Sequence, residues 1–324
     1  MRRREFIALL GATLAAPVPA RAQQSAKVPS VGILTPASTD ATPIFAGLRR
    51  GLRDLGYIEG ATIILDFRFA KGNLDVLPGL AAELVRAPVD LILTDGNSAA
   101  QAALKATRTI PIVMGIAADA LEMGLVTSTA RPGGNITGMT LGRLELTGKR
   151  LQLLKQAFSD IKRAAVLLNP KSLLTELSLR VTENAANALG MTISLLRAGD
   201  PNELRALEPA RLSVVDGLVV IPDAMFWNNR STIIELANAA HVPAVYPERE
   251  YADDGGLIAY GPNIPDSFRR AAGYVARILR GAKPGDLPID EASKFDFVVN
   301  LRTARALGFA ISADFLSGAD EVIE

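Results

Sequence analysis

Val31-Gly32-Ile33-Leu34, followed by Ile44, Phe45, Leu48, Leu52 and Leu55, then Gly56, then a further apolar run over 63–69, is the stretch that decides the fold. The first four residues read as a strand buried on both faces. The next five recur at the spacing of one helix face, and Gly56 supplies a helix stop. The run at 63–69 reads as a second strand. Strand, helix, strand in that order is the signature of a parallel sheet wound by right-handed crossovers.

The pattern repeats outward from there. Leu77, Leu80, Ala81, Leu84 and Val85 form another helical stripe, and Leu91-Ile92-Leu93 and Ile112-Val113-Met114 are continuous apolar runs of covered strands. The turn-rich cluster Arg131-Pro132-Gly133-Gly134-Asn135 interrupts the series. A second series follows: a strand at 136–140, a helix over 146–158, a strand at 164–168, a helix near 177–189, and strands at 192–196, 217–221 and 244–246. The expected architecture is α/β, two doubly wound Rossmann-like lobes joined by a hinge. The expected division gives residues 28–138 plus about 264–284 to the first lobe, and 139–263 plus about 285–324 to the second. Gly133-Gly134 and the segment 260–263 are the expected hinges.

The amino-terminal residues predict a place of work. Arg2, Arg3 and Arg4 precede an apolar run over 6–18, which ends at Ala20-Arg21-Ala22. That order reads as an export signal spanning residues 1–22, removed before Gln23. The arginines followed by Glu5-Phe6 resemble a twin-arginine signal. The run is too short to span a bilayer, which takes roughly 20 apolar residues. With no cysteine, the chain has neither disulfides, nor thiolate metal sites, nor a lipid-anchoring cysteine. A periplasmic location follows as the expectation. Lysine and arginine total 35 against 34 aspartate and glutamate, so no nucleic-acid partner is expected. The single histidine, His241, leaves no zinc motif, and no cofactor or metal is expected.

In open parallel sheets, ligands sit beyond the carboxyl ends of the strands. That rule selects Thr35 and Ser38 after the first strand, and Asn97 and Ser98 after the third, at the start of an alanine-rich helix. It also selects Ala117 and Asp119 after the fourth, and from the second series Asn169, Asp223, Phe226, Tyr246 and Glu248. Free N–H groups at the Asn97-Ser98 helix start would hold a carboxylate. An ammonium would seek Asp223 or Glu248, and Phe226 or Tyr246 would cover an aromatic ring. Plainer roles stand beside each of these: Asn97-Ser98 as a helix cap, Asp223 as a turn residue, Phe226 and Trp227 as packing between lobes, and His241 as a helix-end residue. Gly133-Gly134 lacks the spacing of a dinucleotide loop, and no Gly-x-Ser-x-Gly or P-loop motif is present. The residues offer a pocket and no catalytic set.

Read together, several segments resemble the bacterial ABC-transporter substrate-binding protein family that includes tryptophan- and tyrosine-type binding proteins. They are Phe45-Ala46-Gly47-Leu48-Arg49, Asp54-Leu55-Gly56-Tyr57-Ile58-Glu59-Gly60, Leu80-Ala81-Ala82-Glu83-Leu84-Val85, Thr109-Ile110-Pro111-Ile112-Val113 and Ala130-Arg131-Pro132-Gly133-Gly134-Asn135-Ile136-Thr137-Gly138. Gly255-Gly256-Leu257, Tyr260-Gly261-Pro262-Asn263 and Asn300-Leu301-Arg302-Thr303-Ala304 with Leu307-Gly308 extend the match to the carboxyl end. The resemblance implies a type I periplasmic-binding fold, a Venus-flytrap, in which a helix over 266–280 returns to the first lobe. It implies an amino-acid-like or aromatic carboxylate ligand, with the Ser98 helix start as the carboxylate loop. The chain departs from the family pattern at Asp95-Gly96-Asn97-Ser98, where Gly-Thr-Pro is usual, and at Ala117-Ala118-Asp119-Ala120, where Gly-Asp-Pro is common.

The leading functional expectation is a monomeric solute-binding component of an ABC importer, delivering its ligand to an inner-membrane permease and ATPase. A periplasmic sensor for a membrane receptor is the alternative. An enzyme using Asp95, Asp119, Asp223 or His241 is the other, and it would need a base within reach of a nucleophile.

Overall fold

The computed structural model describes residues 27–141, 146–172 and 175–324. The export signal expected at residues 1–22 lies outside the described residues.

The first sheet is built from β1 (Ser30–Thr35), β2 (Ile64–Phe69), β3 (Leu91–Asp95), β4 (Ile112–Ile116) and β5 (Ile136–Thr140), with α1 (Pro43–Asp54), α2 (Leu77–Arg86) and α3 (Asn97–Ala106) between them. The second takes β6 (Arg163–Leu168), β7 (Thr192–Arg197), β8 (Gly217–Val220), β9 (Ala244–Tyr246) and β10 (Ile258–Pro262). Its helices are α4 (Leu146–Ala157), α5 (Thr175–Ala188), α6 (Pro201–Arg205), α7 (Ala224–Asn228), α8 (Arg230–Ala239) and α9 (Arg249–Asp253). The chain then returns to the first lobe as α10 (Ile264–Leu279) and β11 (Asp290–Glu291). It finishes in the second as β12 (Phe295–Asn300), α11 (Leu301–Leu307), α12 (Ala313–Ser317) and β13 (Glu321–Ile323).

The sheet orders are β2-β1-β3-β4-β5-β11 and β7-β6-β8-β9-β10-β12-β13. All described pairings are parallel except β10 with β12. In each lobe the chain passes to one side of its first strand and then to the other. The strand order therefore reverses between β1 and β3, and again between β6 and β8. These are the points where loops diverge and leave a crevice.

Helix α1 shows how local sequence sets the packing. Thr42 caps it through the Phe45 N–H, and Pro43 fits its first turn. Phe45, Leu48 and Leu52 are buried against Phe268, Ala271 and Ala272 of α10. Each such large apolar side chain contributes about 1.5–3 kcal/mol on full burial. Gly47 and Gly51 let the two backbones touch: a β-carbon on them would lie 2.2 Å from Pro265 O and 2.3 Å from Arg269 O.

Two expectations need correction. Gly133-Gly134 is not a crossing between lobes. The Gly133 N–H donates to Gly285 O at 3.2 Å at the amino end of β5, and the chain leaves the first sheet only after Thr140. The second correction is the return. Tyr274 Oη donates to Pro288 O, the Ile289 N–H to Thr129 O, and β11 pairs with β5. Residues 285–291 thus stay with the first sheet rather than the second lobe, and the last crossing falls at 292–294. At 260–263 the chain passes from β10 of the second sheet to α10, which packs on the first lobe. Asn263 caps α10 at the Asp266 N–H and donates to Asp296 of β12, tying the second and third crossings together.

Candidate functional site

The carboxyl ends of both sheets face one cavity of about 210 Å³. That exceeds the roughly 150 Å³ of an apolar cavity able to hold one benzene. From the first lobe it is lined by Pro36 and Ala37 after β1, by Asp95, Gly96, Asn97 and Ser98 after β3, and by Ala117 and Ala118 after β4. From the second come Ser172 after β6, Pro222, Asp223 and Ala224 after β8, and Glu248 and Glu250 after β9. These are the loops at the two reversal points and the strands beside them. Ile44, Leu74, Ile116, Leu141, Ile264 and Trp227 supply an apolar wall. The lobes approach closely at the rim, where a β-carbon on Gly72 would lie 3.7 Å from Asn228 Nδ2.

Helix α3 starts unusually. Its cap is Gly96, at φ 83°, with no side chain closing the first turn. The Asn97 side chain does not cap either. It receives the Ala118 N–H and donates to Ala118 O, both at 2.7 Å, and so pins the loop after β4 to the helix start. The first N–H groups of α3 thus have no side-chain cap, and Ser98 lines the cavity beside them. One residue earlier, Asp95 accepts from Thr35 Oγ1 at 2.8 Å, and burial pushes its carboxyl up to about 6 against that hydrogen bond.

The second lobe presents carboxyl groups. Asp223 caps α7, accepting from the Met225 and Phe226 N–H groups at 2.8 and 3.3 Å and from Asn169 Nδ2 at 3.1 Å. Burial still raises its carboxyl. Glu248 differs: its Oε2 is buried and makes no hydrogen bond. Burial pushes Glu248 up to about 8, partly opposed by the nearby Arg150 guanidinium. Burial raises Glu250 as well. Arg150 of α4 is 1% exposed. Its Nε donates to Tyr260 O at 2.8 Å and its Nη2 to Pro247 O at 3.5 Å, bracing the Glu248 loop against the crossing strand β10. Burial lowers that guanidinium to about 10. Gly261 is required there, since a β-carbon would lie 1.7 Å from Pro247 O.

Of the residues expected from sequence, Asn97, Ser98, Ala117, Asp223 and Glu248 line the cavity. The others do not. Thr35 is buried beneath it, holding Asp95 and the Ala37 N–H. Ser38 points to solvent. Asp119 adopts a left-handed turn at φ 43° outside the lining. Asn169 is buried behind Asp223, where it also accepts from the Lys171 N–H. Phe226 lies in the lobe core, because the turn set by Asp223 directs it inward and the next residue, Trp227, toward the cavity. Tyr246 is likewise buried, stacked on Tyr251 at 4.9 Å. His241 is exposed at φ 51° beyond the end of α8, away from the cavity. The expectations placed Glu250 and Asp95 in cavity loops without singling them out as ligand contacts, and missed the buried Arg150. Asp95 ends an apolar strand at the reversal point, a signal present in the sequence. No periodicity marks Arg150.

Comparison with known proteins agrees with this geometry. A curated tyrosine-binding protein of Clostridioides difficile is 26% identical over 269 residues, 83% of this chain and 77% of that one. The structure of a conserved domain protein from Vibrio cholerae aligns with a TM-score of 0.86 and 26% identity, covering 91% of this chain and all of that one. A Streptococcus pneumonia ABC domain solved in complex with L-Trp aligns at 0.84 with 24% identity, covering 91% and 99%. The fold is that of the type I periplasmic-binding proteins. The family model of the ABC transporter substrate binding proteins matches residues 30–323, and the chain belongs to that family of binding proteins rather than enzymes.

Proposed function

We propose that this protein is the extracytoplasmic solute-binding component of an ABC importer, working in the periplasm as a monomer. In this reading it captures a small amino-acid-like ligand between its lobes and hands it to a permease. The observation that carries the reading is a single cavity with complementary polar ends. The α3 start offers backbone donors from one lobe, and Glu248 offers a buried, unpaired acceptor from the other. An amine would sit on Glu248 and Glu250, an apolar or aromatic body against Trp227 and the aliphatic wall, and the ligand's other polar end at α3. A ligand touching both lobes favours the closed arrangement by its differential affinity for it, and that is the signal a permease reads. The relatives named for tyrosine and solved with L-Trp support an aromatic amino-acid class.

Trp227 is the sole tryptophan and lines the cavity, so its fluorescence reports occupancy directly. Titration with L-tyrosine and with other amino acids and amines should change that fluorescence and raise thermal stability, because only the native state binds. Failure of every such ligand to do either would overturn the reading. The same closure could serve a membrane receptor, but nothing in the cavity favours that alternative.

A further inference from the structure

The cavity wall is electrically one-sided. Asp95, Asp223, Glu248 and Glu250 line it, and among the described residues no lysine, arginine or histidine does. The basic groups behind it are already engaged. Arg230 pairs with Asp254 at 2.7 Å and covers the Trp227 ring, and Arg150 donates through Nε and Nη2 to two backbone carbonyls while its buried Nη1 makes no hydrogen bond. The acidic groups are not arranged for a metal: among the described residues no three are placed to hold one. Glu248 Oε2 is buried in this wall with no donor among the described residues, and a buried acceptor in that state calls for a partner.

The α3 start, the natural seat for a ligand carboxylate, carries Asp95 at its threshold. When ionised, that carboxylate takes up the positive end of the helix and repels a second anion there. A zwitterion brings no net charge to such a site. An amine without a carboxylate brings one positive charge and no repulsion.

We propose that the cavity selects ligands of net positive charge, an aromatic or apolar body bearing an amine that no free carboxylate balances. This rests on the reading of the cavity as the solute site and sharpens the class of solute. The amine meets Glu248 and Glu250, and the α3 N–H groups meet a neutral acceptor such as a hydroxyl. The raised carboxyls of Glu248 and Asp95 agree with it: burial outweighs the nearby Arg150 at Glu248 and the Thr35 hydrogen bond at Asp95.

The test is calorimetry with two matched pairs, L-tyrosine against tyramine and L-tryptophan against tryptamine, each differing only in the carboxylate. The amine of each pair should bind at least tenfold more tightly; Asp95→Asn should reduce that preference, whereas Glu248→Gln should weaken both members of a pair. Equal or tighter binding of the zwitterions would overturn the inference and leave the amino-acid reading standing. Binding of neither member of either pair would overturn both.

Discussion

Asp223 and Glu248 each follow the carboxyl end of a second-lobe strand, yet their surroundings give them different work. Asp223 is saturated by two backbone N–H groups and Asn169, so it shapes the loop. Glu248 Oε2 is buried without a hydrogen-bond partner, so in the proposed site it is the acceptor for an ammonium. Glu248→Gln should therefore weaken amine binding by about 1.5–3 kcal/mol, the worth of a charge-assisted hydrogen bond. That is roughly tenfold to a hundredfold or more in affinity by calorimetry. Glu248 also predicts a pH dependence without ligand. Its carboxyl is raised from 4.5 to about 8 in the folded chain, so the folded state binds the proton more tightly than the unfolded one. Its contribution to stability is then fully present below about pH 4.5 and is lost as pH rises through about 8. Thermal melts of the unliganded protein should fall across that window, and Glu248→Gln should flatten the fall. A wild-type melt that rises between those values would contradict the assignment. Bound amine reverses the sign, releasing a proton on binding at neutral pH.

Among the elements, the pairing of α1 with α10 fastens the returning chain to the first lobe. Gly51→Ala would place a β-carbon 2.3 Å from Arg269 O and 2.8 Å from Ala272 Cβ, so one helix must move. Overpacking of this kind costs about 1–3 kcal/mol. Gly79→Ala in α2, where nothing lies within 4 Å, should instead be neutral or stabilise by up to about 1 kcal/mol through helix propensity. Urea unfolding midpoints of the two variants should move in opposite directions or differ clearly in size. The same element shows what the sequence reveals and what it hides. The stripe Phe45, Leu48, Leu52 was legible because burial imposes helical periodicity. The glycines between were legible only as part of a motif, since their reason is a backbone far along the chain, Pro265 for Gly47 and Arg269 for Gly51. Site residues divide the same way. Strand ends mark which loops face the cavity, so Asn97, Asp223 and Glu248 could be named. Whether Phe226 or Trp227 points inward depends on the turn that Asp223 caps, and the Arg150 brace depends on a contact 110 residues along the chain. The hinge at Gly133-Gly134 was misplaced because turn composition does not distinguish a loop at a strand's amino end from one that leaves the lobe.

For the whole molecule, three crossings join two lobes that share no sheet, and the cavity exists only while the lobes lie together. Asn263 and Asp296 couple two of those crossings, so the lobes should rotate as rigid bodies about them. The sequence contains no cysteine, which allows two labels to be placed without background. Glu122 follows β4 in the first lobe and Lys171 follows β6 in the second; both are exposed and lie beyond the strand ends that face the cleft. The most direct measurement is the distance between spin labels at cysteines introduced at these two positions, with and without saturating ligand. The ligand should be the tightest binder among L-tyrosine, L-tryptophan, tyramine and tryptamine. The account predicts a longer or broader distribution in the free protein and a single shorter distance when ligand is bound. An identical distribution in both states, at demonstrated saturation, would contradict capture by closure between the lobes.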